Sequence, residues 1–295
     1  APLILSHQVM VSWIQRFSAQ LPAAPLNRDA AHHSIMELIV LASGSKGNCT
    51  YLRGERGALL INAGLSARET LRRLADAGAD ASLIEGILVT HEHIDHVRGV
   101  DVLARRLGVP VYATGGTLAA LSGKCRQSME LRRCRCGESF ALGDFSVEPF
   151  AVSHDANEPC GFSVTEGDLR IGCCTDTGTI TPTIFDSLAS CDAILLESNH
   201  CPNMLENGPY PAYLKSRIRS KRGHLSNPDA ARCLQRLADH IHMAVLAHLS
   251  EINNTQEKAL ASALEGLGFY SDQVAVTVAS QNPDPLHPEF CGLQL

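Results

Sequence analysis

Thr90-His-Glu-His-Ile-Asp-His96 directly follows the apolar run Ile87-Leu-Val89, which puts three histidines and Asp95 within six residues, where a buried strand ends and a helix begins. A chain that sets so many ligands against one strand end needs strands that finish at a common edge, the arrangement in which α/β folds place their chemistry. His91 and His93 flank one residue and can close on a single ion, whereas Asp95 and His96 project onward and can serve a second. Imidazole nitrogen and carboxylate oxygen suit zinc or manganese. The plainer reading is a polar turn with incidental histidines, and the density of ligands argues against it. The His-Glu-x-x-His pattern of zinc proteases does not apply, because no histidine stands four residues after His91.

Short β-rich runs alternate with helical patterns from Met36 onward, so the chain reads as α/β. Strands are expected near 37–42, 58–62, 86–90, 111–113, 145–152, 161–165, 169–174, 193–196 and 243–247. Helices are expected near 66–77, 97–107, 183–189, 211–219, 227–239 and 255–267, with starts marked by Asn227-Pro228 and by Asn254-Thr255. Residues 1–35, with Pro22, Pro25 and a polar stretch from Asn27 to Ser34, read as an N-terminal extension that is poorly ordered, and residues 36–295 as one hydrolase domain. No apolar run approaches the roughly 18 to 20 residues that span a bilayer, so no membrane crossing is expected. Eleven cysteines, an odd number with no cleavable signal ahead of them, point to a reducing cytoplasm. The net charge of -6 argues against broad adhesion to nucleic acid. Bound divalent ions can nevertheless make a carboxylate-lined cleft locally positive.

Three further motifs sit at strand ends: Ser153-His-Asp155, Cys174-Thr-Asp-Thr-Gly178 and Ala247-His-Leu-Ser250. Each alone is an ordinary turn or cap. In this order after the His-x-His-x-Asp-His signature they resemble the metallo-β-lactamase fold superfamily, over residues 36 to about 255. The resemblance implies a four-layer αβ/βα sandwich, two mixed sheets face to face with helices outside, and a hydrolase working with two divalent metal ions. It implies that His91, His93 and His154 hold the first metal, that Asp95, His96 and His248 hold the second, and that Asp176 bridges them.

A narrower likeness, to the YycJ/WalJ-type exonuclease branch, rests on Ser43-Gly-Ser-Lys-Gly-Asn48, Glu197-Ser-Asn-His200, Asn207-Gly-Pro-Tyr210, Arg222-Gly-His-Leu-Ser-Asn227 and His248-Leu-Ser-Glu-Ile-Asn-Asn254. It implies a 5′-to-3′ DNA exonuclease, with nucleic acid as partner and a homodimer as the expected assembly. Gly223-His-Leu-Ser226 resembles the segment through which transfer-RNA 3′-processing enzymes present a catalytic histidine, so His224 is expected to act with Asp95 in catalysis, protonating the leaving oxygen or steadying the phosphate. The bland alternative for His224 is a helix-entry histidine. Where relatives usually carry an Asp that buttresses a ligand histidine, this chain has Asn62, which accepts a hydrogen bond but lacks the charge.

For substrate contacts, Ser45 and Asn48 in the Gly-rich loop can face a phosphate, although a plain tight turn serves equally well. Lys215, Arg217, Arg219, Lys221 and Arg222 form a basic run that either tracks a nucleic-acid backbone or is a solvated helix face. Cys134-Arg-Cys136 and Cys173-Cys174 lack zinc or redox spacing and read as buried or incidental thiols. Two rivals stand beside the nuclease: a hydrolase of a cyclic phosphodiester, thioester or lactam on the same scaffold, and a non-catalytic metal-binding regulator.

Overall fold

The computed structural model describes residues 35–122, 129–283 and 290–294. The expected extension, residues 1–34, lies outside the described residues; Ile35 already opens the first strand, one residue before the expected domain start.

The strands in chain order are β1 Ile35–Ala42, β2 Cys49–Arg53, β3 Ala58–Ile61, β4 Ile84–Leu88, β5 Val111–Thr114, β6 Leu131–Cys134, β7 Phe140–Leu142, β8 Phe145–Ala151, β9 Cys160–Glu166, β10 Leu169–Cys174, β11 Ala193–Glu197, β12 Met243–Ala247, β13 Ala275–Val278 and β14 Phe290–Gln294. The helices are α1 Ala67–Asp76, α2 Ile94–Val97, α3 Val100–Leu107, α4 Gly115–Leu121, α5 Pro182–Ala189, α6 Pro202–Asn207, α7 Ala212–Ile218, α8 Asn227–Leu237 and α9 Gln256–Leu267. They build two seven-stranded sheets among the described residues, ordered β14-β1-β2-β3-β4-β5-β6 and β13-β12-β11-β10-β9-β8-β7. Each sheet is mixed: β3 to β6 run parallel in the first and β10 to β13 in the second, with antiparallel pairs elsewhere.

Alternation along the strands explains the layering. Leu38 and Val40 of β1, Leu59 and Ile61 of β3, and Leu88 of β4 meet Phe162, Val164, Ile171, Leu195 and Val245 between the sheets. Their neighbours Ile39, Leu41, Leu60 and Ile87 point the other way, onto Leu74 of α1 and Val100, Leu103 and Ala104 of α3. On the far side Ile194, Leu196 and Leu246 meet Ile184 and Leu188 of α5, Leu234 and Leu237 of α8, and Ala259, Ala263 and Leu267 of α9. Strands apolar on both faces can only lie inside such a sandwich. Each fully buried Leu, Ile or Phe contributes roughly 1.5–3 kcal/mol to holding it. The four-layer αβ/βα architecture is the one expected.

Several details differ from expectation. The helix expected over 97–107 starts only at Val100, as α3, after the separate short helix α2, and Gly99 between them donates its N–H out of the helix to the Ala63 carbonyl at 2.8 Å. The N-cap of α8 is Ser226, whose Oγ accepts from Asp229 N–H, and Asn227 turns inward to Ser198 and Asn254 instead. Thr255 caps α9 as expected. β2, β6, β7, β13 and β14, with α4 and α6, were not anticipated. No helix among the described residues is long and apolar enough to cross a membrane, and Cys49, Cys134, Cys160, Cys173, Cys174, Cys191 and Cys233 are buried free thiols, with Cys136 and Cys201 free and half-buried.

Candidate metal centre and active site

Every proposed ligand lies just beyond a strand that runs toward the same edge of the sandwich. His91, His93, Asp95 and His96 follow β4, His154 follows β8, Asp176 follows β10, and His248 follows β12. The chain must turn sharply at these ends. Asn62, Asp176 and His248 are the three non-glycine residues with positive φ among those described, at 62°, 56° and 56°. Asn, Asp and His tolerate that left-handed region better than most residues, and such backbone gathers at functional sites.

The side chains converge in sets. His91, His93 and His154 offer ring nitrogens that can meet on one ion; Asp95, His96 and His248 form a second set. Asp176 stands between, with Oδ2 3.4 Å from His96 Nε2 and Oδ1 3.4 Å from His248 Nε2 and 3.9 Å from His154 Nε2. Its Oδ2 is buried with no hydrogen-bond partner, a costly state for a carboxylate that a cation relieves. His91 Nε2 faces His93 Nδ1 at 3.1 Å. A buried, converging donor set of imidazoles and carboxylates with an orphaned oxygen at its centre fits a divalent metal.

Outer partners aim the rings. The Gly223 carbonyl lies 3.1 Å from His154 Nδ1, and Asn48 Oδ1 lies 3.0 Å from His248 Nδ1. The Thr90 hydroxyl lies 3.0 Å from His91 Nδ1 and 3.3 Å from His96 Nδ1, while Asn62 Oδ1 accepts from Thr90 N–H at 3.0 Å and sits 3.1 Å from Thr90 Oγ1. Asn62 therefore reaches the ligand histidines through Thr90 and does not touch them directly. Burial, reinforced by neighbouring histidines, pushes His91 well below the ordinary histidine range; burial also lowers His93 and His248. Neutral imidazole is the form that ligates. His96 goes the other way: burial would lower it, but Asp176 and Asp95 outweigh that and raise it.

His224 joins the centre from the turn before α8, 3.9 Å from Asp176 Oδ1 through Nδ1. Its stronger partner is Glu197, at the end of β11 and fully buried, whose Oε1 lies 2.7 Å from His224 Nδ1. The other oxygen, Oε2, accepts from Thr177 N–H and Leu225 N–H at 2.8 and 3.1 Å. Burial would depress His224, yet the Glu197 carboxylate more than reverses it and pushes its pKa up to about 9.

The expected substrate contacts separate. Ser45 is exposed, whereas Asn48 is buried, its amide engaged by Gly44, Asp95, His96 and His248 and not turned to a phosphate. Arg222 is exposed and donates from Nε to the His154 carbonyl at 3.2 Å. The basic run is partly spent internally: Arg217 pairs with Asp155 at 2.6 Å, Arg219 pairs with Glu206, and Lys215 Nζ donates to the Glu206 carbonyl. Glu197, Thr90 and Ser43, whose Oγ accepts from His248 N–H at 2.7 Å, were not assigned roles from the sequence. An acid closing the apolar run Ala193-Ile-Leu-Leu196 was the available signal for Glu197.

Comparison with known proteins agrees with this geometry. The family model for the β-lactamase superfamily domain matches residues 58–249. The chain is 38% identical over 237 residues to exodeoxyribonuclease YycJ of Bacillus anthracis, covering 78% of this chain and 89% of the relative. It is 36% identical over 262 residues to exodeoxyribonuclease WalJ of Streptococcus pneumoniae serotype 2, covering 84% and 95%. Among solved structures, the metallo-β-lactamase fold protein YhfI from Bacillus subtilis superposes with a TM-score of 0.66 at 12% identity, over 84% of this chain and 98% of its own. That last likeness speaks for the fold alone. By its sequence matches the chain belongs to the β-lactamase superfamily, in the family of the exodeoxyribonucleases YycJ and WalJ.

Proposed function

We propose that the protein is a metal-dependent phosphodiesterase of the cytoplasm that works as an exodeoxyribonuclease, removing nucleotides from the 5′ end of DNA with two divalent ions, zinc or manganese. The observation that carries this reading is the position of Asp176, with Oδ2 beside His96 and Oδ1 near both His248 and His154, so that its carboxylate neighbours members of both sets. His91, His93 and His154 would hold one ion and Asp95, His96 and His248 the other, with Asp176 facing both. When bound, such a pair supplies Lewis acidity, lowering the pKa of a water and neutralising charge on the phosphoryl oxygens.

The chain's own groups do the rest. With Nδ1 held by Glu197, His224 keeps Nε2 as its remaining donor, and the Glu197 carboxylate favours the protonated ring that can hand a proton to the departing oxygen. Lys221 and Arg222, exposed beside the His154 loop, draw the phosphate backbone toward the ligands. The free thiols agree with a reducing compartment.

The test is parallel turnover of bis(p-nitrophenyl) phosphate and of DNA oligonucleotides by manganese- or zinc-loaded protein. Digestion of both supports the nuclease. Cleavage of the small diester with oligonucleotides neither bound nor cut would assign the site to a small substrate, and two bound ions without turnover of either would make it a regulator.

A further inference from the structure

We infer that the Thr90 side chain is a positioning residue shared by both ion sites, so that removing one hydroxyl loosens both ions together. This rests on the two-ion reading above and adds to it a coupling between the sites.

A threonine hydroxyl has one proton and two lone pairs. Asn62 must present its oxygen to Thr90, because it accepts the Thr90 backbone N–H at 3.0 Å; the same oxygen, 3.1 Å from Thr90 Oγ1, takes the hydroxyl proton. Both lone pairs are then left for His91 Nδ1–H at 3.0 Å and His96 Nδ1–H at 3.3 Å. That arrangement sets both rings in the tautomer with Nδ1 protonated. With Nδ1 so engaged, Nε2 is the nitrogen each ring has for an ion, that of His91 facing the His93 and His154 set and that of His96 facing Asp176 and Asp95. Thr90 is 4% exposed and Asn62 3%, so water does not compete for these positions. The neutral Asn62 suffices as acceptor, and its backbone lies in the left-handed region at a φ of 62°.

Asn48 provides the contrast. Its amide touches Asp95, His96 and His248, all members of one set, and none of His91, His93 or His154. A change at Thr90 should therefore be felt at two ions and a change at Asn48 at one.

The experiment is metal content by mass spectrometry, with manganese or zinc titrated calorimetrically into metal-free protein, and far-UV circular dichroism as the check on folding. The parent is expected to take up two ions. Thr90→Val should weaken both by roughly 10- to 100-fold, the usual cost of losing an outer partner. Thr90→Ser should restore both, and Asn48→Ala should weaken one. Asn62→Gly, which suits the backbone at that φ, removes the acceptor while keeping Thr90 and should shift both ions in the same direction. A folded Thr90→Val protein that binds both ions as the parent does, or loses only one, overturns the inference. Should Thr90→Val fail to fold, Asn62→Gly decides by the same criterion. A parent that takes up fewer than two ions instead overturns the two-ion reading itself.

Discussion

The Glu197 carboxylate, fully buried, grips the ring of His224 at 2.7 Å and so favours a proton on the imidazole beside the cluster of ligand histidines. Burial opposes that proton, and Glu197 wins, raising the His224 pKa to about 9. A histidine whose folded pKa lies above its unfolded value near 6.5 stabilises the fold fully below that value. The contribution is lost as pH rises through about 9. In urea unfolding of metal-free protein, the stability difference between parent and His224→Gln should thus be largest near pH 6 and fade by about pH 9.5. In turnover, His224→Ala should lower kcat by roughly 10²- to 10⁴-fold, the usual contribution of a positioned acid. A pH-independent stability difference would remove the Glu197 pairing from the account.

Gly64 should not tolerate a side chain. Its N–H donates to the Asn48 carbonyl at 2.9 Å, Asn48 N–H donates to the Asp95 carbonyl at 2.8 Å, and a Cβ on Gly64 would overlap that Asp95 oxygen. The obstruction is backbone, which cannot swing aside as a flexible side chain would. Gly64→Ala is expected to cost about 1–3 kcal/mol in urea unfolding and to weaken the ion held by Asp95. Parent-like stability and metal content would show that the Gly64, Asn48 and Asp95 backbones yield easily.

Much of this was legible in the sequence, and the rest was hidden for identifiable reasons. β10 to β12 are buried on nearly every residue, so their apolar runs were plain. β6 reads Leu-Arg-Arg-Cys, with Arg132 and Arg133 exposed at the edge of its sheet, and neither length nor alternation announces it. The ligands were visible because each follows a strand end. Their supports were not, because a support is defined by its partner: Asn62 lies 28 residues from Thr90, and Ser43 lies 205 from His248. The same holds for Asn48, whose place in a Gly-rich loop suggested a phosphate contact until the fold brought His248 to it.

Lys221 and Arg219 should behave differently toward DNA despite their nearness in the chain. Arg219 is paired with Glu206, whereas Lys221 has no ion pair among the described residues. For a phosphate contact on a single strand, the slope of log affinity against log salt changes by about 0.7. Lys221→Ala is expected to reduce the slope by roughly that amount, and Arg219→Ala by clearly less, in fluorescence-anisotropy titrations with single-stranded DNA. Equal effects would mean that the whole basic run is simply solvated surface.

Stripping the metals should expose the strain of gathering Asp176 with so many imidazoles. Chelation with EDTA is expected to lower the melting temperature, and re-addition to raise it with metal concentration. An ion at about 100 times its Kd adds roughly 2.7 kcal/mol per site. A melting temperature indifferent to chelation and to added zinc or manganese would contradict a resident metal centre.

The most direct measurement is digestion of single-stranded DNA labelled at either end by the manganese- or zinc-loaded parent, run beside His93→Ala and Asp176→Asn. Loss of a ligand should cost more than the roughly 10- to 100-fold typical of an outer partner. The expected result is release of mononucleotides from the 5′ end by the parent and near silence from both variants. Intact DNA in the presence of a folded, metal-loaded parent, or undiminished digestion by Asp176→Asn, would contradict the account.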